Sequence, residues 1–412
     1  MNAVLKTALV AGALFGAGAS FAAEVSLRAV PDNNTAAGGA VVWRFVCDAG
    51  NAPDTCIQTG EEAPTIRVSS VESLTINLAN DLPVPVSIMI PGQLGDTSIR
   101  RQADGRVVTF AQETGPGGTG VYTWGTPPTP LKPGTYLFQS GTAPQLQVPM
   151  GLFGALVVTD PGYPAGVTVD NETLLLFSEI DLVQNGRVAA AAIGGAQPTE
   201  ACVSMNDYEA SGMTAIGYPC TIDYDPTYYL VNGESAPNLT DLTANSTVHL
   251  RMLNAGLRTH TPAFVNLEMS IFAEDGNIYP GQPLQHSQAM LAAGKTLDAI
   301  MALPDVANLT IALNDRSPSF SDDNQPTGGA RAAIVIGAGS DVTTGNTIEE
   351  VISVIEDTPF QWDPPGGNAL RIAGGASHGT VEEIDNGGTL NFLYTPHPDF
   401  SGVDAFSYYR PG

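Results

Sequence analysis

Histidine is scarce in this chain: there are five among 412 residues, and none precedes His249. Imidazole is the ordinary protein ligand for copper and zinc, so the segment ahead of His249 has no means of building a histidine-based metal centre. Basic residues are also few, 16 Lys and Arg against 42 Asp and Glu, for a formal net charge of -26. A phosphate backbone or an anionic membrane surface wants a basic patch, and there is none to find. The acidic surface would gather cations only loosely through its overall field; the plainer reading is a solubilising coat. Beyond the amino terminus no stretch reaches the ~18 uninterrupted apolar residues of a spanning helix, and helical periodicity is rare. Gly151-Leu-Phe-Gly154 lacks the serine of a nucleophile elbow. The glycine-rich Gly115–Gly120 leads into the strand-like Val121-Tyr-Thr-Trp124, so it is a turn and not a helix-capped phosphate loop.

Glycine (45) and proline (31) are plentiful, and they fall between short Val, Ile, Leu and Thr runs, the texture of many strands joined by turns. Ser70–Leu78 and Thr247–Leu253 alternate polar and apolar residues and read as half-buried strands. The fold class is all-β, built from β-sandwiches, and the length suggests two or three domains. The chain opens with Lys6 ahead of an apolar stretch to about Gly18, then Ser20-Phe21-Ala22, which predicts a signal peptide over residues 1–22 with cleavage after Ala22. Four cysteines, Cys47 with Cys56 and Cys202 with Cys220, then suggest two local disulfides in an exported chain. A metal role is the weaker alternative, because no histidine lies near either pair and neither spacing is Cys-x-x-Cys. With all four oxidised, no thiolate remains for a blue-copper centre, which needs one beside two imidazoles.

Two segments carry the most information, Leu82-Pro-Val-Pro-Val-Ser-Ile-Met-Ile-Pro-Gly92 and Gly134-Thr-Tyr-Leu-Phe-Gln-Ser-Gly141. Their frame resembles the first domain of the multicopper oxidases, in which each segment holds a His-x-His. Alternate strand residues project to one face about 6.6 Å apart, so two imidazoles at that spacing address neighbouring metal ions. Here Met89, Pro91, Gln139 and Gly141 stand at those positions. Met150–Val158 resembles the strand closing that domain, and Val231–Gly233, Leu250–Gly256, Ala273–Gly276 and Leu291–Asp298 follow in the order of the family's middle domain, a copper-free spacer. Together they span roughly residues 40 to 338. The resemblance implies two cupredoxin-like Greek-key sandwiches whose copper positions are vacated.

Past Gly345, Glu356-Asp-Thr-Pro359, His378-Gly-Thr-Val381 and the stretch Tyr394–Tyr408 resemble a bacterial Ig-like, cadherin-like repeat. Glu356, Asp357, Asp399 and Asp404 could converge on calcium, or equally satisfy backbone donors at turns. The chain stops at Gly412 before such a repeat would complete its sheet, so a longer protein is expected, with copper ligands lying only in domains beyond it. Of the histidines, His249 is expected at the surface or half-buried, His260 in a loop, and His286 after a turn, none of them a metal ligand. Tyr218, Tyr224, Tyr228 and Tyr229 are expected to pack in the core or at an edge.

The expected organisation is therefore a signal peptide (1–22), cupredoxin-like domains at 23–165 and 166–340, and an incomplete Ig-like sandwich at 345–412. The expected role is that of the amino-terminal part of a secreted multicopper-oxidase-like protein, with no cofactor of its own. It would act as scaffold or interface for its own downstream domains or another protein, through the face around Met89, Pro91, Phe138 and Gln139. The alternative is a non-catalytic binding protein of a cell surface or matrix that reuses these sandwiches. The expected location is secreted or periplasmic, or the cell surface; nucleic acid and membrane spans are excluded.

Overall fold

A side-chain period of two governs the first sandwich. In the strand Ser73–Asn80, Leu74, Ile76, Leu78 and Asn80 are buried while the residues between them are half-exposed. The computed structural model describes residues 22–337 except 96–98, 102, 161–162, 164–166, 197–200, 266, 305, 307–308, 317–321 and 323–328, together with 358–362, 371–374, 376, 378–385, 390–398 and 407–409. The expected signal peptide and the four carboxylates Glu356, Asp357, Asp399 and Asp404 fall outside the described residues, apart from Ala22, which opens the first strand.

The strands are β1 (Ala22–Asn34), β2 (Ala40–Cys47), β3 (Cys56–Ile57), β4 (Thr65–Ser69), β5 (Ser73–Asn80), β6 (Arg100–Arg101), β7 (Val107–Thr109), β8 (Thr119–Trp124), β9 (Gly134–Gln139) and β10 (Phe153–Thr159). They form two four-stranded sheets, β2-β1-β5-β8 and β3-β4-β10-β9. In each, one central pair is parallel, β1 with β5 and β4 with β10, because the chain crosses between sheets before returning. Phe45, Ile66, Leu74, Ile76, Phe138 and Leu156 fill the space between the sheets.

A second group follows: β11 (Asn171–Ile180), β12 (Tyr228–Val231), β13 (Asn238–Thr243), β14 (Thr247–Asn254), β15 (Pro262–Phe264), β16 (Met269–Glu274), β17 (Asn277–Ile278), β18 (Leu284–His286), β19 (Thr296–Ala302), β20 (Thr310–Asp315) and β21 (Arg331–Gly337). Its seven-stranded sheet runs β12-β11-β14-β19-β16-β17 with β18 on β16, and in a second sheet β20 lies between β21 and β15. Among the described residues, three α-helices interrupt the strands: α1 (Pro144–Gln147), α2 (Leu182–Ile193) and α3 (Met205–Ala210). Thus the described part of the chain is nearly all β, as the turn-rich sequence predicts, and α2 is the main exception. Asp181 caps α2 by accepting from the Gln184 amide.

The chain forms two compact units, Met1–Leu239 with Ser246–Leu303 and Ile311–Ile334, and Thr240–Asn245 with Pro304–Thr310 and Val335–Gly412. Within the first unit the sandwiches meet face to face. Leu137 and Ala155 of one pack on Leu176, Leu253 and Ala255 of the other. The backbones approach closely at Gly134 and Gly276, which have φ of 135° and 69°; a Cβ on Gly134 would stand 2.8 Å from the Gly276 Cα. The second unit holds β22 (Phe360–Trp362), β23 (Arg371–Gly374), β24 (Gly379–Asp385), β25 (Leu390–Pro396) and β26 (Ser407–Tyr409), arranged as the sheet β22-β25-β24 and the pair β23-β26. Among the described residues, no helix is long and apolar enough to cross a membrane.

Both local disulfides form, Cys47–Cys56 and Cys202–Cys220, and no described cysteine is free. Each closes a short loop, and removing either should lower stability by about 2–4 kcal/mol. Urea unfolding of the chain with and without reductant checks this; an unchanged midpoint would contradict it.

Candidate functional site

Asn80, fully buried at the end of β5, sets the segment 82–92 in place. Its amide donates to the carbonyls of Val84 (2.8 Å) and Thr114 (2.9 Å) and accepts from the Leu82 amide (3.0 Å). The segment then runs alongside β9, where Met89 and Gln139 are antiparallel partners with both backbone bonds made, 2.8 and 2.9 Å. Both side chains are half-buried and Pro91 is exposed. Gly141 is buried, and a Cβ there would already touch Ser87 Oγ at 3.0 Å. The two segments singled out in the sequence therefore lie side by side, joined at Met89 and Gln139. Phe138 is not part of that face: it points into the sandwich core, its ring 5.8 Å from that of Phe45, because neighbouring strand residues face opposite ways.

Beside this pair lies a buried polar chain. Thr142 Oγ1 donates to Ser87 Oγ (2.9 Å), Ser140 Oγ to Gln147 Oε1 (2.6 Å), and Gln147 Nε2 to the Pro85 carbonyl (2.8 Å). These bonds tie the segment 82–92 to β9 and α1 with each polar group partnered.

A second constellation lies where the sandwiches meet. Strand register places Arg251 opposite Asp298 and Glu172 beside His249. Asp298 Oδ1 accepts from Thr135 Oγ1 across the junction (2.6 Å), from Arg251 Nη1 (3.1 Å) and from His249 Nε2 (2.9 Å), and Oδ2 accepts from Tyr163 OH (2.8 Å). Arg251 also donates to Thr135 Oγ1 and pairs with Glu172 (both 2.7 Å), which in turn holds Arg67 of the first sandwich at 2.5 Å. Burial alone would raise the Asp298 carboxyl; the His249 bond and the Arg251 charge outweigh it and hold it below its ordinary value. Glu172 is lowered likewise, burial being outweighed by Arg251 and then Arg67. The phenol of Tyr163 goes the other way, raised by burial and by the Asp298 charge.

The third constellation is His260, fully buried between two carboxylates. Its Nδ1 bonds Asp315 Oδ2 (2.5 Å) and its Nε2 bonds Glu179 Oε1 (2.8 Å), so both ring nitrogens donate. Glu179 also accepts from the Leu257 and Arg258 amides (2.9 and 3.1 Å) and Tyr224 OH (3.1 Å). Gly256 has to be glycine, since a Cβ there would run into the Glu179 carboxylate. Burial lowers the imidazole pKa, but the bonds to Asp315 and Glu179 more than offset that and push it up to about 9.

One expectation about histidine is thus corrected and another refined. His249 is buried, because the rings of Tyr163 and Phe272 pack on it; His260 lies in the connection between β14 and β15, as a loop residue would, but is fully buried there. His286 is exposed on β18. Of the tyrosines, Tyr218 and Tyr224 are buried and Tyr228 and Tyr229 half-buried, as expected of packing residues. Sequence reading missed Asp298, Glu179 and Asp315, although a lone carboxylate inside an apolar strand, as in Thr296–Ala302, is a usable signal. Among the described residues, no group of three or more His, Cys, Asp or Glu side chains is placed to hold a metal ion.

Residues 51–162 match the multicopper oxidase family model. No curated protein matches the chain. Solved structures with a similar fold include a blue copper oxidase from Nitrosomonas europaea (TM-score 0.51, 17% identity, 76% of this chain and 84% of that one). They also include a multi-copper oxidase from Pseudomonas thermotolerans (0.52, 15%, 92% and 94%) and a copper nitrite reductase from Nitrosomonas europaea (0.51, 17%, 77% and 94%). At these identities the likeness is one of fold: the sandwiches are cupredoxin-like.

The raised pKa of His260 makes stability depend on pH. Its contribution is fully present below the ordinary value near 6.5 and is lost as pH rises through about 9. The loss should amount to the order of 3 kcal/mol. His260→Gln should lower stability by about 3–5 kcal/mol, since it leaves two facing carboxylates unpaired, and should flatten that slope. Melting temperature against pH for both proteins checks this; parallel curves would contradict it.

Proposed function

We propose that the two sandwiches form a copper-free scaffold within an exported multicopper-oxidase-like protein, and that the face around Met89 and Gln139 docks a further sandwich, on the same chain or on another. The pairing of Met89 with Gln139, at the centre of an oxidase-like strand pair, carries this reading. Proline and glycine supply no side-chain donor, an amide is a poor one, and a single thioether suits at most a soft Cu(I) ion. A side chain at 141 would also be tightly placed, since a Cβ there would stand 3.0 Å from Ser87 Oγ and 3.5 Å from the Ala111 Cβ. The residues present do not fit a trinuclear copper cluster, so no electron-transfer step is assigned to them.

What the arrangement supplies is rigidity and a half-apolar surface. The polar chain of Ser87, Ser140, Thr142 and Gln147 holds the two segments without metal, and the Asp298 node joins the sandwiches. Two disulfides are in keeping with export. Among the described residues of the second unit, the strands β22 to β26 suit the Ig-like repeat that its motifs resemble.

Copper analysis tests the scaffold reading. After loading with Cu(II) and passage over a chelating resin, the purified chain should retain well under one copper per molecule and show no blue absorption; stoichiometric retained copper would overturn it. In the full-length protein, Met89→Asp with Gln139→Asp should reduce the assembled fraction on size exclusion. Unchanged assembly would count against the docking face.

A further inference from the structure

Helices α2 and α3 wall a cleft of about 500 Å³ beside the first sandwich, against which α2 packs. One side of α2 belongs to the core of the first sandwich, through Val188, Ala191 and Ala192. Its other side fronts the cleft, where Val183 and Arg187, and Gly186 and Ala190, are neighbours one turn apart. The rim is apolar and exposed: Val183 49%, Met213 66% and Ile216 74%.

Two observations point to a ligand. Arg187 is only 6% exposed, its Nη2 donates to the Val203 carbonyl (2.6 Å), and its guanidinium lies 4.4 Å over the Tyr208 ring. Its Nε has no partner, and among the described residues no carboxylate pairs with it. A buried cation without a counter-ion is costly, so its setting is complete only when an anion arrives. The second observation is Gly186, in the interior of α2 with nothing within 4 Å of where its Cβ would be. Glycine there costs the helix about 1 kcal/mol relative to alanine and relieves no clash. What it does is leave the cleft wall open.

We propose that this cleft binds a small apolar carboxylate, its body lying over Gly186 between Val183 and Ile216 and its carboxylate taken by Arg187. The volume suits a ligand of that size, and an apolar lining with one convergent charged group is the usual form of such a site. A carboxylate on guanidinium gains a charge-assisted bond that an ester lacks.

Fluorescence titration of the whole chain with parinaric acid and with its methyl ester tests the proposal. The acid should bind saturably at one site and about tenfold or more tighter than the ester; Arg187→Gln should erase that difference and Arg187→Lys restore part of it. Gly186→Leu fills the cleft and improves the helix, so it should abolish binding of both probes with no loss of melting temperature. Absence of saturable binding, equal affinity for acid and ester, or undisturbed binding by Gly186→Leu would each overturn it.

Discussion

The carboxylate of Asp298, with no exposed surface, is what the first compact unit depends on. Burying such a charge costs several kcal/mol unless every lone pair finds a donor. Here the donors come from β14, from Tyr163 and, through Thr135, from β9 of the other sandwich. The register of β14 on β19 and the seating of one sandwich on the other are therefore a single condition: shift either and a buried anion loses partners. Apolar contacts around Leu137, Leu176 and Leu253 add area, but area alone would tolerate sliding, and the hydrogen bonds do not.

Thr135, Leu137 and Gln139 share one side of β9, so the strand that carries Gln139 is the strand the junction holds. In the frame this chain resembles, imidazoles at such positions would clamp metal ions between strands. Here the strands are joined instead by the Met89–Gln139 backbone bonds and by a run of hydroxyl and amide bonds. Closed networks of this kind can hold a sandwich rigid at modest net cost because each polar group is satisfied.

Strands, turns and disulfides were legible in the sequence because they depend on neighbours within about ten to twenty residues: the period of two in β5, the turn ahead of β8, the spacing of Cys47 and Cys56. The burial of His249 and His260 was not legible because it is decided elsewhere. The first is enclosed by the rings of Tyr163 and Phe272 and by Asp298, and the second is closed over by Glu179 and Asp315 from β11 and β20. Helix α2 was hidden by its alanines and Gly186, which blur a 3.6-residue pattern; Asp181 as an N-cap ahead of them was the local clue. The site positions Met89, Pro91, Gln139 and Gly141 were legible only through a resemblance, since nothing in their local chemistry announces what would stand there in another protein.

The proposed copper-free scaffold should gain nothing from metal. The most direct test is thermal unfolding of the chelator-treated chain with and without saturating Cu(II) or Cu(I). A ligand that binds only the folded state raises its stability by about 2.7 kcal/mol at a hundred times its dissociation constant. An unchanged or lowered melting temperature is predicted with either ion; a saturable rise of several degrees would mean that the fold still holds copper and would contradict the account.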